Sequence, residues 1–261
     1  MHGRQKSPLW VGKYFLFLFV IFFTIPSSLE AQTTGTGAPG LRIDVSGSNE
    51  EGDFGVAIQL VVAMTILTLG PSVIMMMTCF TRIVIVLGFV RNAIGVNAAP
   101  SSQIIIGLAL FLTFFVMGPI WNKIYDDAVT PYMATTMKSG DALLVATAHL
   151  KDFMLNQTRR EDAQFFLEIS RQGAMTRDQL PLSIVVPSFV LSELRTAFQM
   201  GFLIFIPFII VDFIVASSLM SMGMMMMPPV VISMPFKLLL FVLVDGWYLV
   251  VQSLVSSFNI A

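Results

Sequence analysis

The feature that most constrains the fold is a long apolar stretch at residues 197–220, in which Asp212 is the only charged side chain. As an α-helix these 24 residues would measure roughly 36 Å, which is long enough to cross a bilayer. Three further stretches are also strongly apolar, at residues 54–80, 104–121 and 230–255. Charged residues make up only 12% of the chain, about half the usual share of a soluble domain. The sequence therefore predicts an all-α, polytopic membrane protein with four hydrophobic helices.

Residues 1–31 have the organisation of a secretory signal peptide. An unbroken apolar run at residues 14–25 is too short for a comfortable span. We expect cleavage after Ala31, with an uncleaved anchor as the alternative. Such a signal implies a bacterial chain whose mature N-terminus starts outside the cytoplasm. The positive region before the apolar run consists of Arg4, Lys6 and Lys13.

The mature chain divides by polarity into a linker, two apolar hairpins and a polar domain. Residues 32–53 are rich in Gly, Ser and Thr and predict a flexible linker. Residues 54–125 and 195–261 each contain two apolar stretches and predict two helical hairpins. Residues 126–194 carry charges of both signs and predict a small helical domain outside the bilayer. The loop at 91–103 carries positive charge and no acid, which places it in the cytoplasm and the polar domain on the periplasmic side.

Glycine and proline residues inside the apolar stretches predict broken or kinked helices. Proline removes one helical hydrogen bond and clashes with the preceding turn, so we expect kinked hairpins. The predicted breaks are at Gly70, Pro71, Gly118, Pro119, Pro207 and Pro235.

A methionine-rich loop at residues 220–229, MSMGMMMMPP, joins the last two apolar stretches. Methionine is unbranched and polarisable, and a cluster of it makes a soft surface that fits irregular shapes. Taken alone, the segment is also explained by an apolar tip between two membrane helices, with no further role. Its characteristic residues are Met220, Met222, Gly223, Met224, Met225, Met226, Met227, Pro228 and Pro229.

Three charged residues inside the last two apolar stretches need a reason, because each costs about 2.5–3.5 kcal/mol on insertion scales. Asp212 and Lys237 lie equally far from the centre of the methionine-rich loop, so a hairpin would bring them to one depth, where they could neutralise each other. Their role could be a packing salt bridge or a contact that aligns neighbouring subunits. Asp245 has no partner in its own hairpin, which leaves water, another chain or a proton relay as alternatives.

No set of residues suggests an enzyme. Cys79 is the only cysteine, and His149 is the only histidine outside the leader, so the chain offers no catalytic dyad or triad. We find no glycine-rich phosphate loop and no ligand pair at metal spacing, and we expect neither a metal nor another cofactor. A net charge of −1 gives no reason to expect nucleic acid.

Two motifs flank the methionine-rich loop, PSFVLSELRTAFQMGF at residues 187–202 and MPFKLLLFVLVDGW at residues 234–247. Both closely resemble signatures of the FliP family of type III export-gate proteins. The signal peptide, the four spans, the polar domain and the position of the loop are similar as well. The resemblance covers nearly all of the mature chain.

The resemblance implies an assembly and a function. Proteins of this family form a homopentamer that joins FliQ, FliR and other membrane proteins of the export apparatus, in the bacterial inner membrane at the flagellar basal body. Unfolded flagellar proteins would pass through the centre, and the methionine-rich loop would be a gasket that closes the channel. By match to the motifs, Glu193, Arg195 and Lys237 would contact subunits or shape the gate. Asp212 and Asp245 are the other candidates for intramembrane charges or subunit contacts.

Three alternatives stay open at this point. The first is the homologous gate subunit of a virulence injectisome, although the leader and the linker favour the flagellar branch. The second is a secondary transporter for a small solute, with broken helices at the Gly-Pro pairs and Asp212 or Asp245 as a coupling site. The third is a membrane scaffold without a pore.

Overall fold

Helices account for the regular structure of the chain, as expected of segments that must satisfy their own backbone polar groups in lipid. A computed structural model describes residues 53–96, 100–171, 173, 175–224 and 227–258. No strand occurs in these ranges, and the predicted all-α class is confirmed there. The predicted signal peptide lies outside the described residues, as does the predicted linker apart from Asp53.

The chain begins with three long helices. They are α1 (Asp53–Met76), α2 (Phe80–Ile94) and α3 (Ser102–Ile124), and the side chains of α1 are described from Ile58 onward. The helical path of α3 continues through a π-helical segment, Tyr125–Val129, and one further turn, Thr130–Met133.

Five more helices complete the described chain. The polar segment contains α4 (Ser139–Gln157), α5 (Arg160–Ser170) and a short 3₁₀ turn, Arg177–Gln179. The C-terminal part contains α6 (Leu182–Ser221), α7 (Pro229–Leu243) and α8 (Gly246–Ser256).

Three helical segments are long and apolar enough to cross a membrane, namely Ile58–Met76, Ser102–Met133 and Leu182–Ser221. Helices α7 and α8 are bent by 63° at their junction and make a fourth candidate if they count as one broken span. The described chain is therefore that of a polytopic membrane protein.

Helix α2 corrects the predicted first hairpin at residues 54–125, which has three helices instead of two. The sequence assigned no helix between the apolar stretches at 54–80 and 104–121, but Phe80–Ile94 are helical, and the loop predicted at 91–103 cannot begin before Gly95. One side of α2 is buried, and this side packs on α3 and α6. The buried apolar residues of α2 recur at helical spacing and are Ile83, Val86, Leu87, Val90, Ala93 and Ile94.

The predicted interruptions of the helices are also corrected, because α1, α3, α6 and α7 continue through all of the predicted positions, whereas kinks at these positions stay a prediction. A proline costs one hydrogen bond, and a long apolar helix keeps the others and its packing. The observed interruptions lie at residues 77–79, between α1 and α2, and at residues 244–245, between α7 and α8. The positions without a break are Gly70, Pro71, Gly118, Pro119, Pro207 and Pro235.

Helix α6 is the element on which four other helices pack. It contacts α2, α4, α5 and α7, and it runs straight through the predicted boundary between residues 194 and 195. The polar segment is thus docked on the first half of α6, and Phe54–Ala261 form one compact unit. Buried apolar residues at the centre of this packing include Cys79, Val86, Leu87, Val90, Met117, Met154, Phe189 and Leu254.

Candidate functional site

The methionine-rich loop begins where a Schellman motif ends α6. Gly223 has a left-handed backbone (φ +77°), and its N–H donates to Met220 O at 3.0 Å. The N–H of Met224 donates to Leu219 O at 3.1 Å, which completes the pair of bonds that defines the motif. Glycine takes this backbone conformation without strain, which explains the single interruption of the methionine run.

The other end of the loop is set by two prolines. Pro228 is the N-cap of α7, and Pro229 is its first residue, where a missing N–H and a fixed φ are favourable. The loop between the two helices thus comprises residues 222–228, shorter than predicted, since Met220 still belongs to α6 and Pro229 already belongs to α7.

The methionines that the structure describes in this region all point outward. Met225 and Met226 lie outside the described residues. The hairpin thus presents an apolar, flexible surface at its tip, where no side chain of the described residues covers it. The exposed methionines are Met220, Met222, Met224 and Met227.

Below this tip, Asp212 of α6 and Lys237 of α7 meet as their spacing predicted. Lys237 Nζ lies 2.6 Å from Asp212 Oδ2, and Ser233 Oγ donates to the other carboxylate oxygen. The Lys237 side chain is buried (6% exposed), whereas that of Asp212 keeps 36% exposure. Lys237 also reaches the end of α2, since a methyl group added to Gly95 would lie 4.0 Å from its Nζ. The pair therefore joins the two helices of the hairpin, and Lys237 lies beside the end of α2.

Glu193 is engaged inside the chain by a partner that sequence reasoning missed. Its carboxylate forms a two-pronged ion pair with the guanidinium of Arg82, in which Nε donates to Oε2 at 2.8 Å and Nη2 contacts Oε1. Both side chains are buried, with 2% exposure for Arg82 and 0% for Glu193. A buried carboxylate and guanidinium in this geometry hold α2 against α6.

Arg82 also binds the C-terminal segment and the end of α4. Its Nη1 donates to the carbonyl and the hydroxyl of Ser257 at 3.1 and 3.0 Å. Its Nη2 donates to Gln157 Oε1 at 3.3 Å, and its Cζ lies 4.0 Å from the ring centroid of Phe258. One side chain thus joins four separate parts of the chain.

Arg195, two residues further along α6, ties α5 to α6 at the surface. Its Nη2 lies 3.1 Å from Asp162 Oδ1, and its Nη1 lies 3.6 Å from Glu161 Oε2. Buried Asp162 also accepts a hydrogen bond from Ser192 Oγ at 2.6 Å. Glu193, Arg195 and Lys237 are thus all paired within the chain, and the predicted subunit contacts of these three residues stay predictions.

Asp245 lies at the bend between α7 and α8. It is exposed and has a left-handed backbone (φ +53°), and its side chain does not cap α8. The next residue, Gly246, is in tight contact with Phe241, because a Cβ there would lie 2.3 Å from the ring. Within the described chain the carboxylate of Asp245 has no hydrogen bond or ion pair, so it is available to water or to another chain.

His149 packs as part of the polar segment. Its Nε2 lies 2.9 Å from Asp127 Oδ2, which links α4 to the π-helical segment. No group of three or more His, Cys, Asp or Glu side chains in the described ranges is placed to hold a metal ion.

This geometry defines the class of protein: an all-helical, polytopic membrane protein whose last hairpin is held by an internal ion pair and ends in an exposed methionine tip. The FliP family model matches residues 63–254, which include both motifs and the loop between them. The chain belongs to the FliP family.

Three relatives show how far the similarity extends. The chain is 48% identical to flagellar biosynthetic protein FliP of Bacillus subtilis (strain 168), over 83% of this chain and 98% of that protein. It is 42% identical to the protein of the same name from Borreliella burgdorferi, over 93% of this chain and 98% of that protein. It is 47% identical to that of Buchnera aphidicola subsp. Acyrthosiphon pisum over 94% of this chain, which spans only 64% of that relative's length.

Proposed function

We propose that this protein is a structural pore subunit of the flagellar type III protein export gate and conducts unfolded flagellar proteins across the inner membrane. Family membership supports the export role. The relatives are named flagellar biosynthetic proteins, which favours the flagellar gate over the injectisome gate. In this proposal the protein is a part of the flagellar basal body and has no enzymatic activity.

The observation that carries the proposal is the exposed methionine tip at the end of a rigidly paired hairpin. Thioether side chains adapt their shape at low cost, so a ring of them can close an empty channel and still deform around unrelated chains. Gly223 and the two prolines fix where the loop starts and ends, and the Asp212–Lys237 pair fixes the helices beneath it. A gasket requires flexible apolar side chains at the constriction and helices that hold them in position.

The exterior of the helices supports an assembly. Apolar side chains cover the outside of α1, α6 and α7, for example Leu67, Phe213 and Leu243. Such surfaces need lipid or other subunits. We propose that they serve a homopentamer with FliQ and FliR subunits in the inner membrane, and that exposed Asp245 meets a neighbouring chain there.

The rival transporter hypothesis loses the observation that motivated it. It required helices broken at the Gly-Pro pairs and at Pro207, and these helices continue without interruption. Two short breaks remain in the apolar segments, at residues 77–79 and 244–245, and neither lies at a position that motivated the transporter hypothesis.

The test replaces Met222 and residues 224–227 with alanine in cells that assemble the complete export apparatus. We expect increased leakage of ions or small molecules, because alanine cannot fill the gap. Replacement of the same residues with leucine keeps the apolar volume but not the flexibility, so leakage should stay low while secretion of flagellar proteins falls. A matched control replaces Met64 and Met76, two exposed methionines of α1, with alanine. Unchanged leakage and unchanged secretion in the tip variants would refute the gasket.

A further inference from the structure

A groove of about 890 Å³ opens beside α5, between the end of α4 and the segment that leads to α6. This size is within the range of ligand and peptide pockets, roughly 300–1,000 Å³. Its floor is apolar and includes Leu155, Leu167 and Leu180. We call it the arginine groove, because three exposed arginines line it: Arg160, Arg171 and Arg177.

The charge of the arginine groove is mostly unsatisfied within the chain. Arg177 donates to Asn156 Oδ1 at 2.9 Å, but the guanidinium groups of Arg160 and Arg171 make no hydrogen bond or ion pair within the described ranges. Glu168 is the one acid among the described lining residues, and it accepts a hydrogen bond from Gln164 at 3.1 Å. Three guanidinium groups against one carboxylate favour an occupant that brings carboxylates together with apolar side chains.

The same chain carries a surface of that composition at the end of α3. Asp126 and Asp127 are adjacent and exposed in the π-helical segment. Asp127 contacts His149 Nε2 at 2.9 Å, whereas the carboxylate of Asp126 has no hydrogen bond or ion pair within the described ranges. Apolar side chains flank them, including Tyr132 and Met133, which is 74% exposed. We call the exposed side chains of residues 125–133 the acidic ridge.

No hydrogen bond or ion pair joins the two surfaces within the described part of one chain. Both lie between the candidate spans Ser102–Met133 and Leu182–Ser221 or at their ends, hence on one side of the membrane. The π-helical segment packs on α3 and α4, whereas α5 packs on α6. The two surfaces thus belong to different elements of the chain, and a contact between the ridge of one copy and the groove of another would be head-to-tail, the kind of contact that closes a ring.

We propose that the acidic ridge of one copy docks in the arginine groove of the next copy around the ring. The carboxylate of Asp126 pairs with Arg160 or Arg171, and Tyr132 or Met133 covers the apolar floor. This interface rests on the proposed function, because it presupposes a ring of these subunits.

The first test is a charge exchange in the purified complex, with subunits counted by native mass measurement. Arg160→Glu with Arg171→Glu, and separately Asp126→Arg, should each reduce the ring fraction by about tenfold, since like charges would then face each other. The combination of all three substitutions should restore it. Asp152→Arg, a reversal at an exposed position of α4 outside both surfaces, should leave the ring intact.

Each other outcome overturns the inference in a distinguishable way. A ring that survives both single-sided reversals leaves the proposed function standing but removes this interface. The same holds if the reversals abolish secretion with the ring intact, which would assign the groove to a different protein. A wild-type chain that is monomeric in the assembled apparatus refutes the interface and the proposed ring together.

A second test does not depend on how stable the ring is in the variants. Two chains with different tags, one with Arg171→Cys and the other with Asp126→Cys, are produced together and oxidised. The native Cys79 is fully buried and gives little background. We expect a disulfide between the two tagged chains. Disulfides only between identical chains, or none in an intact ring, would contradict the proposal.

Discussion

Removal of the Glu193 carboxylate should destabilise the protein strongly. Glu193→Ala leaves the guanidinium of Arg82 without its counter-charge at a site where both side chains are buried. Breaking a buried pair from one side costs about 3–5 kcal/mol. Ser257 and Gln157 still accept hydrogen bonds from the guanidinium, so we expect the lower end, about 3 kcal/mol.

The assay is thermal unfolding of the purified protein in detergent. About 3 kcal/mol corresponds to a fall of about 6–12 °C in the apparent melting temperature of a domain of this size. The matched control is Glu161→Ala, which removes a glutamate from a surface pair with Arg195 where the carboxylate is 86% exposed. Such pairs contribute about 0–1 kcal/mol, so this shift should stay below about 4 °C.

A double variant separates charge from packing. Arg82→Met with Glu193→Leu replaces the pair by apolar side chains of similar size, and it should recover most of the lost stability. Equal shifts for Glu193→Ala and Glu161→Ala, or a double variant less stable than Glu193→Ala, would refute the argument that an uncompensated buried charge causes the effect.

Three further outcomes follow from two close contacts and one left-handed backbone conformation in the same structure. Gly201→Ala would place a Cβ 2.3 Å from the Phe89 ring and should cost about 1–3 kcal/mol in thermal unfolding, with partial recovery by Phe89→Leu. Gly223→Ala forces alanine into a left-handed backbone, which should cost about 1–2 kcal/mol and raise proteolysis at the tip. Lys237→Met leaves half-buried Asp212 unpaired and should cost about 1–3 kcal/mol, whereas Lys237→Arg should retain most of the stability. If a variant showed no loss of stability, the contact or backbone conformation from which its prediction was derived would be contradicted.

The hairpin of α6 and α7 could be predicted because its geometry is local. Two helices that leave one tip rise by the same amount per residue, so residues equally far from the tip meet at one depth. This placed Asp212 beside Lys237, and the 2.6 Å contact confirms it. The candidate spans followed from apolar length alone.

The buried centre could not be predicted, because it depends on contacts that are distant in the sequence. Arg82 is paired with Glu193, 111 residues later, and nothing near Arg82 indicates a buried partner. The sequence therefore assigned Arg91 to a loop, although it belongs to α2. The signal that could have identified α2 was the helical spacing of Ile83, Val86 and Val90.

The positions of the helix breaks show the limit of residue propensity. Proline predicted an interruption at Pro235, yet α7 continues to Leu243. The bend comes at Asp245, where Gly246 allows the Phe241 ring to approach the backbone. The position of the bend thus depends on tertiary packing. The local preference of proline does not decide it, because an apolar helix keeps its other backbone hydrogen bonds around Pro235.

The measurement that most directly tests the central claim is photo-crosslinking from the methionine tip during export. A photoreactive residue replaces Met224 in the assembled apparatus, a flagellar substrate is arrested in transit, and the adducts are identified. The account predicts a covalent adduct between position 224 and the substrate, with none from the same residue at Met64, an exposed position of α1. An apparatus that secretes normally but gives no adduct at position 224, or equal adducts at both positions, would contradict it.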